Sequence, residues 1–168
     1  LIAVFSVQIQ YEDFDLCREV AQLRQPDPGV GAVVSFLGTV RDRDEGIQGI
    51  SSLELEHYPG MTESAIQAMI DQARSRFDIR AVRIIHRIGV LNPQDQIVLV
   101  AVASAHRGQA FDACEFLMDY LKTQAPFWKK QSSPEGAAWV DARQSDDTAA
   151  HRWGLPGQSS PPTTIPKP

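Results

Sequence analysis

The chain predicts an α+β fold, and three observations lead there. Short stretches alternate apolar and polar residues with a period of two, longer stretches carry apolar residues at helical spacing, and the two kinds interleave as β-α-β-β-α-β-β-α-β-β. Adjacent strand pairs call for hairpins and the helices for crossovers, so a mixed arrangement is expected rather than a doubly wound parallel sheet. No internal repeat is visible.

Each element has a local reason. Phe5, Val7, Ile9 and Tyr11 alternate with polar residues and form a half-buried strand. Asp13 or Asp15 can cap a helix that carries Leu16, Val20 and Leu23 on one face, and Pro26-Asp27-Pro28-Gly29 ends it. Ala32 to Val40 is nearly all apolar, which predicts a buried strand ending at Thr39-Val40-Arg41. Asp42 to Gly49, charged and glycine-containing, reads as an exposed loop. Ile50 to Tyr58 alternates again, with Leu53, Leu55 and His57 facing one way and Glu54 and Glu56 the other, and Pro59-Gly60 breaks it. Thr62 is the expected cap of a helix with Ile66, Met69, Ile70, Ala73 and Phe77 in its stripe. Val82, Ile84, His86 and Ile88 share one face of a strand, with Arg83 and Arg87 on the other. After the turn at Asn92-Pro93-Gln94-Asp95, Ile97 to Ala103 is the most apolar strand and the expected centre of the sheet. A helix from about Gly108 buries Phe111, Cys114, Met118 and Leu121, and an extended pair follows at Phe127 to Gln131 and Ala138 to Arg143.

The length of 168 residues fits one domain, placed at 1–153. Residues 154–168, rich in Pro, Ser, Thr and Gly, read as a flexible tail that cannot bury enough apolar surface to order itself. A net charge of −5 gives no general reason to bind nucleic acid, so any functional cations must be clustered locally. No apolar run approaches a membrane span, and Leu1 to Phe5 lacks the basic leader of a signal peptide. The absent initiator Met suggests processed ends. Cys17 and Cys114 belong to no CxxC and read as two buried thiols in a reducing cytoplasm. His57, His86, His106 and His151 show no ligand spacing, so neither a metal nor a cofactor is expected.

The chemistry points to Met118-Asp119-Tyr120-Leu121-Lys122-Thr123-Gln124-Ala125-Pro126-Phe127-Trp128-Lys129-Lys130. Pro126 cannot continue a helix and pushes Ala125 towards extended geometry, so Lys122 ends one element and Lys129 opens the next. Two ammonium groups at a chain reversal can bind an anion, and each can lower the other's pKa. Ser104-Ala105-His106-Arg107 lies between the most buried strand and a helix, where side chains point into a ligand crevice. His106 suits acid–base work and Arg107 a bidentate anion contact. Arg41 and Arg143 end predicted strands, and each alone reads as a solvated arginine. His57 and His86 read as core histidines, and Phe127 and Trp128 as core aromatics. About fourteen helical residues at 1.5 Å each hold His106 roughly 20 Å from Lys122, too far for one small substrate.

Leu55-Glu56-His57-Tyr58-Pro59-Gly60-Met61-Thr62-Glu63, Ile85-His86-Arg87-Ile88-Gly89, Ser104-Ala105-His106-Arg107, Met118 to Thr123 and Ala125 to Lys129, in that order, resemble the large catalytic subunits of molybdopterin synthases over Val4 to Trp153. Gln124 and Lys130-Gln131 depart from common variants of the pattern without touching its core set. The resemblance implies an α/β hammerhead-type fold with an additional small antiparallel sheet. It implies a central homodimer within a heterotetramer, each large subunit receiving the thiocarboxylated C-terminus of a small ubiquitin-like subunit. The small-molecule substrate is then cyclic pyranopterin monophosphate (precursor Z), converted to the molybdopterin dithiolene in two sulfur transfers. Lys122 and Lys129 match the catalytic lysines, and Arg41, His106, Arg107 and Arg143 match the substrate-binding residues. The implied protein is a cytoplasmic sulfurtransferase of molybdenum cofactor biosynthesis, without nucleic-acid or membrane partners. A phosphoesterase using His106, or an adaptor that only holds a ubiquitin-like tail, are the competing readings, and alanine at Lys122 separates them.

Overall fold

Residues 4–44, 46–140 and 144–155 are described by the computed structural model. In chain order they form β1 (Phe5–Gln10), α1 (Leu16–Arg24), β2 (Ala32–Thr39), β3 (Arg43–Asp44), β4 (Ile47–Gln48), β5 (Ser52–His57), α2 (Met61–Arg76), β6 (Ala81–Arg87), β7 (Gly89–Leu91), β8 (Gln96–Ser104), α3 (Arg107–Gln124), β9 (Phe127–Ser133), β10 (Gly136–Val140) and α4 (Gln144–His151). One four-stranded sheet has the order β1-β6-β8-β2, and a second has β10-β9-β5-β7. In the first, β1 and β6 are parallel, whereas β6–β8 and β8–β2 are antiparallel. The second is antiparallel throughout. Hairpins and helical crossovers thus coexist, as the α+β prediction requires.

Alternation along β6 and β8 sends side chains to two helical layers. Val82, Ile84, Val98, Val100 and Val102 meet Ile66, Met69 and Ile70 of α2 and Phe116, Leu117 and Leu121 of α3. Ile85, Leu99, Ala101 and Ala103 meet Phe14 and Leu23 on the α1 side. β8 lies between β6 and β2 and is buried from Val98 to Ser104, so its apolar run reads as the centre for a physical reason: both faces are covered.

Several expectations need correcting. β2 is an edge strand, and Ser35, Phe36 and Leu37 are exposed although its apolar composition predicted burial. Arg83 is buried beneath α1, and its charge is met by Glu19 at 2.9 Å, with further hydrogen bonds to Ser6 and Gln8. The N-cap of α2 is Gly60 at φ 82°, not Thr62; Glu63 accepts from the Gly60 amide at 2.7 Å. Phe111 is 60 % exposed rather than part of the buried stripe of α3. Cys17 is exposed, and only Cys114 is a buried thiol, its pKa pushed up to about 11 by burial. The loop after Arg41 carries the small β3–β4 hairpin, and β7 and α4 were not anticipated.

The C-terminal segment is part of the packed body. Ala150 and Leu155 are buried, and the Trp153 ring meets Phe77 and Phe116 edge-on. Trp153 Nε1 and Arg152 both donate to Asp119 of α3, at 2.7 and 2.8 Å. Packing thus reaches Leu155, two residues past the boundary read from composition; 156–168, the rest of the expected tail, lie outside the described residues.

Candidate active site

Pro126 acts as its chemistry dictates. Helix α3 stops at Gln124, Ala125 is extended at φ −79° and ψ 128°, and β9 starts at Phe127. The turn is pinned from outside: the Thr62 hydroxyl donates to the Pro126 carbonyl at 3.0 Å and accepts from the Tyr58 amide at 3.0 Å. Lys122 occupies the last turn of α3, where a cation is favoured by the helix dipole, and its side chain is exposed. The two lysines therefore flank one anchored reversal.

Lys129 pairs with Leu55 across β5–β9, and Phe127 pairs with His57. Residues two apart on a strand share a face, so His57, Phe127, Lys129 and Gln131 look the same way. His86, at the end of β6, stacks on Phe127 with centroids 3.8 Å apart and planes 17° apart. Burial pushes the His86 imidazole down to about 4, opposed by a hydrogen bond to the Arg87 carbonyl and assisted by the positive charge of Lys129 and by His57. His86 is neutral near pH 7, with Lys129 close enough to act on it. His57 pairs with Glu63 at 3.3 Å. On the opposite face Trp128 packs edge-on against Tyr58 at 4.2 Å. Both aromatic residues after Pro126 thus belong to the protein's own packing.

Arg41 reaches the same strand through a relay that spacing did not reveal. Its guanidinium donates to Asp44 at 3.0 Å, and Asp44 accepts from Gln131 at 3.3 Å. Asp44 and Gln131 are additions to the candidate set; their only sequence signal is proximity, three residues from Arg41 and two from Lys129. Asp119, which anchors Trp153 and Arg152, lies one helical turn before Lys122 and was likewise missed.

His106 and Arg107 sit elsewhere. His106 is the N-cap residue of α3 without a side-chain cap bond, and both residues are exposed. The segment that presents them is tight: Ser104 donates to the Asp78 carbonyl at 2.7 Å, and a Cβ on Gly31 would stand 2.4 Å from the Ala105 carbonyl oxygen. Because α3 is unbroken, the sixteen residues from His106 to Lys122 span roughly 24 Å, slightly more than the sequence estimate. The short link from β8 turns α3 back across the sheet, so its Lys122 end lies over the end where Thr39 pairs with Gln96. Arg41 belongs to that end. Lys122 ends α3 on that side, Lys129 follows on β9 beyond the reversal, and Arg41 is tied to β9 through Asp44 and Gln131; His106 and Arg107 are at the opposite end of α3. Arg143 lies outside the described residues. Among the described residues no group of three or more His, Cys, Asp or Glu side chains could hold a metal ion. Among the described residues no helix is long and apolar enough to cross a membrane.

These features define an α+β protein with one mixed sheet, one four-stranded antiparallel sheet, a small two-stranded one, and a helix-to-strand reversal flanked by two lysines. Residues 9–124 match the model of the MoaE protein family, and the chain belongs to that family. It is 57 % identical over 150 residues to the molybdopterin synthase catalytic subunit of Ralstonia nicotianae, covering 89 % of this chain and 85 % of the relative. The molybdopterin biosynthesis MoaE protein from Burkholderia ambifaria superposes with a TM-score of 0.77 at 53 % identity, over 89 % of this chain and 98 % of that one. Molybdopterin synthase from Staphylococcus aureus gives a TM-score of 0.71 at 32 % identity, over 79 % of this chain and 95 % of that one. The fold is accordingly of the α/β hammerhead type with an additional small antiparallel sheet.

Proposed function

We propose that this chain is the catalytic subunit of a molybdopterin synthase, an enzyme of molybdenum cofactor biosynthesis. Its reaction is sulfur transfer from the thiocarboxylated C-terminus of a small ubiquitin-like subunit to cyclic pyranopterin monophosphate. Two transfers build the dithiolene; each thiocarboxylate that has delivered its sulfur leaves as a carboxylate, and the cyclic phosphate opens to a terminal monoester. The observation that carries this reading is the anchored reversal that places Lys122 and Lys129 on either side of Pro126, with Arg41 tied to the same strand.

Every species in the reaction is an anion or passes through one. Thiocarboxylate, phosphate and developing oxyanions all gain from fixed cations in a site that need not reorganise. Lys122 and Lys129 act on the reacting centre; Arg41, His106, Arg107 and Arg143 hold the substrate. One chain cannot bring His106 and Arg107 to Lys122 across roughly 24 Å of rigid helix, so they come from a second copy. The assembly is then a central homodimer with a small subunit at each end, working in the cytoplasm.

The test is reconstitution. Purified chain, thiocarboxylated small subunit and cyclic pyranopterin monophosphate should yield dithiolene product, and Lys122→Ala should abolish it while retaining the small subunit. Phosphate release without a sulfur donor would mark a phosphoesterase instead. Binding of the small subunit without any turnover by the unaltered chain would mark an adaptor.

A further inference from the structure

Helix α3 starts against its own local preferences. Its N-cap His106 makes no side-chain cap bond, its first turn holds no acidic residue, and Arg107 and Gly108 follow directly. A cation at the positive end of a helix and a glycine in its first turn both weaken that turn. Support comes from outside the helix. Ser104 is fully buried, and its hydroxyl serves two groups: it donates to the Asp78 carbonyl at 2.7 Å and accepts from the His106 amide at 3.3 Å. Gln109, in the first turn, accepts from the Asp78 amide at 2.9 Å through Oε1. In a capping box the residue at this third position reaches back to the N-cap amide. Here Ser104 takes that amide, and Gln109 holds another segment of chain instead. Both backbone polar groups of Asp78 are therefore gripped by side chains that flank His106 and Arg107. The gripped stretch is itself fixed to β8: the Arg80 amide donates to the Ala103 carbonyl at 2.7 Å, and on the other side the Gly31 amide donates to the Ser104 carbonyl at 3.0 Å. The loops α1–β2, α2–β6 and β8–α3 thus meet where the basic pair is presented.

We infer that Ser104 and Gln109 are positioning residues for the His106–Arg107 pair: their clamp on the Asp78 backbone sets where the pair points. Neither has to touch substrate. Ser104 bonds directly to the amide of His106, and Gln109 lies two residues beyond Arg107, so the pair is held from both sides. Removing the Ser104 hydroxyl leaves the His106 amide and the Asp78 carbonyl without that partner, while the apolar layers between the sheet and α2 and α3 keep their contacts. The loss therefore falls on the link that presents the pair rather than on the core. Aim matters more for these two side chains than for a diffuse charge. A guanidinium grips an anion through a fixed fork of N–H groups, and a fork turned away loses its second bond. Groups that are already oriented bind without the cost of being ordered by the ligand.

This role rests on the proposed function, in which His106 and Arg107 hold the substrate, and the experiment separates the two. Binding of cyclic pyranopterin monophosphate to the full chain is measured by titration calorimetry, and kcat by dithiolene formation with saturating thiocarboxylated small subunit. Ser104→Ala and Gln109→Ala should each raise Kd roughly tenfold and leave kcat within about threefold. Gln109→Glu keeps the acceptor oxygen for the Asp78 amide and should bring Kd back to within about twofold of the unaltered chain. In a His106→Ala, Arg107→Ala background, Ser104→Ala should change Kd by less than about twofold, because the clamp has nothing left to aim. Should Ser104→Ala fold poorly, the half-buried Gln109 carries the same test through its alanine and glutamate variants. Normal binding by the His106→Ala, Arg107→Ala chain removes the substrate-holding reading of the pair, and the clamp's role with it. If that chain binds weakly, three results overturn the positioning role alone: normal binding by Ser104→Ala and Gln109→Ala, no recovery in Gln109→Glu, or an undiminished Ser104→Ala effect when the pair is absent.

Discussion

Two variants that are each inactive should restore one another. One carries Lys122→Ala; the other carries His106→Ala with Arg107→Ala. The reason is the unbroken α3, which holds the two groups roughly 24 Å apart in every chain. If each site takes Lys122 from one copy and His106–Arg107 from the other, a heterodimer of the two variants has one site with all groups and one with none. Random reassociation makes about half the dimers mixed, so the mixture should reach about a quarter of the unaltered rate. Co-expression with different affinity tags and purification through both isolates the mixed dimer, which should show about half. The assay is dithiolene formation from cyclic pyranopterin monophosphate with saturating thiocarboxylated small subunit. The reciprocal pairing sharpens the result. A chain bearing all three substitutions, joined to an unaltered partner, breaks both shared sites and should be inactive. If each site lay within one chain, the outcomes would exchange: nothing from the first heterodimer and half from the second. That exchange would refute the shared-site reasoning.

Lys122→Arg should fail nearly as completely as Lys122→Ala, because arginine keeps the charge but cannot give up a proton near neutral pH; Lys129→Ala should be strongly impaired, and near-normal turnover in either position would exclude that role. The His86 pKa of about 4 predicts an acid-labile fold. The unfolded imidazole takes a proton below about 6.5 and the folded one does not, so stability is full above that pH and falls as pH drops towards 4. Urea unfolding should show a loss of about 2–3 kcal/mol between pH 7 and pH 4.5 that His86→Phe, which keeps the stack on Phe127, largely removes. Gly31→Ala would force a Cβ to 2.4 Å from the Ala105 carbonyl oxygen, and should lower stability by about 1–3 kcal/mol, read as a fall in Tm, while disturbing the His106 segment.

What could be read from the chain alone was set by locality. Pro126 dictates the end of α3, the extended Ala125 and the start of β9 through the geometry of three residues, so the lysine reversal was legible. The period-two alternation of β5 and the stripe of α2 were legible for the same reason. Misreadings arose where a neighbour distant in sequence decides. Alternation put Arg83 on the strand face opposite Val82 and Ile84, but that Glu19, Ser6 and Gln8 bury it there is not written in its neighbours. The Arg41–Asp44–Gln131 relay joins residues up to 90 positions apart and leaves no periodic trace. β2 is the most instructive case. An apolar run of eight predicts two covered faces and two paired edges, and within one chain β2 has neither. Whether a strand ends up central or at the edge is decided by the order in which distant strands pair, here β1-β6-β8-β2, and no residue within the run records that order.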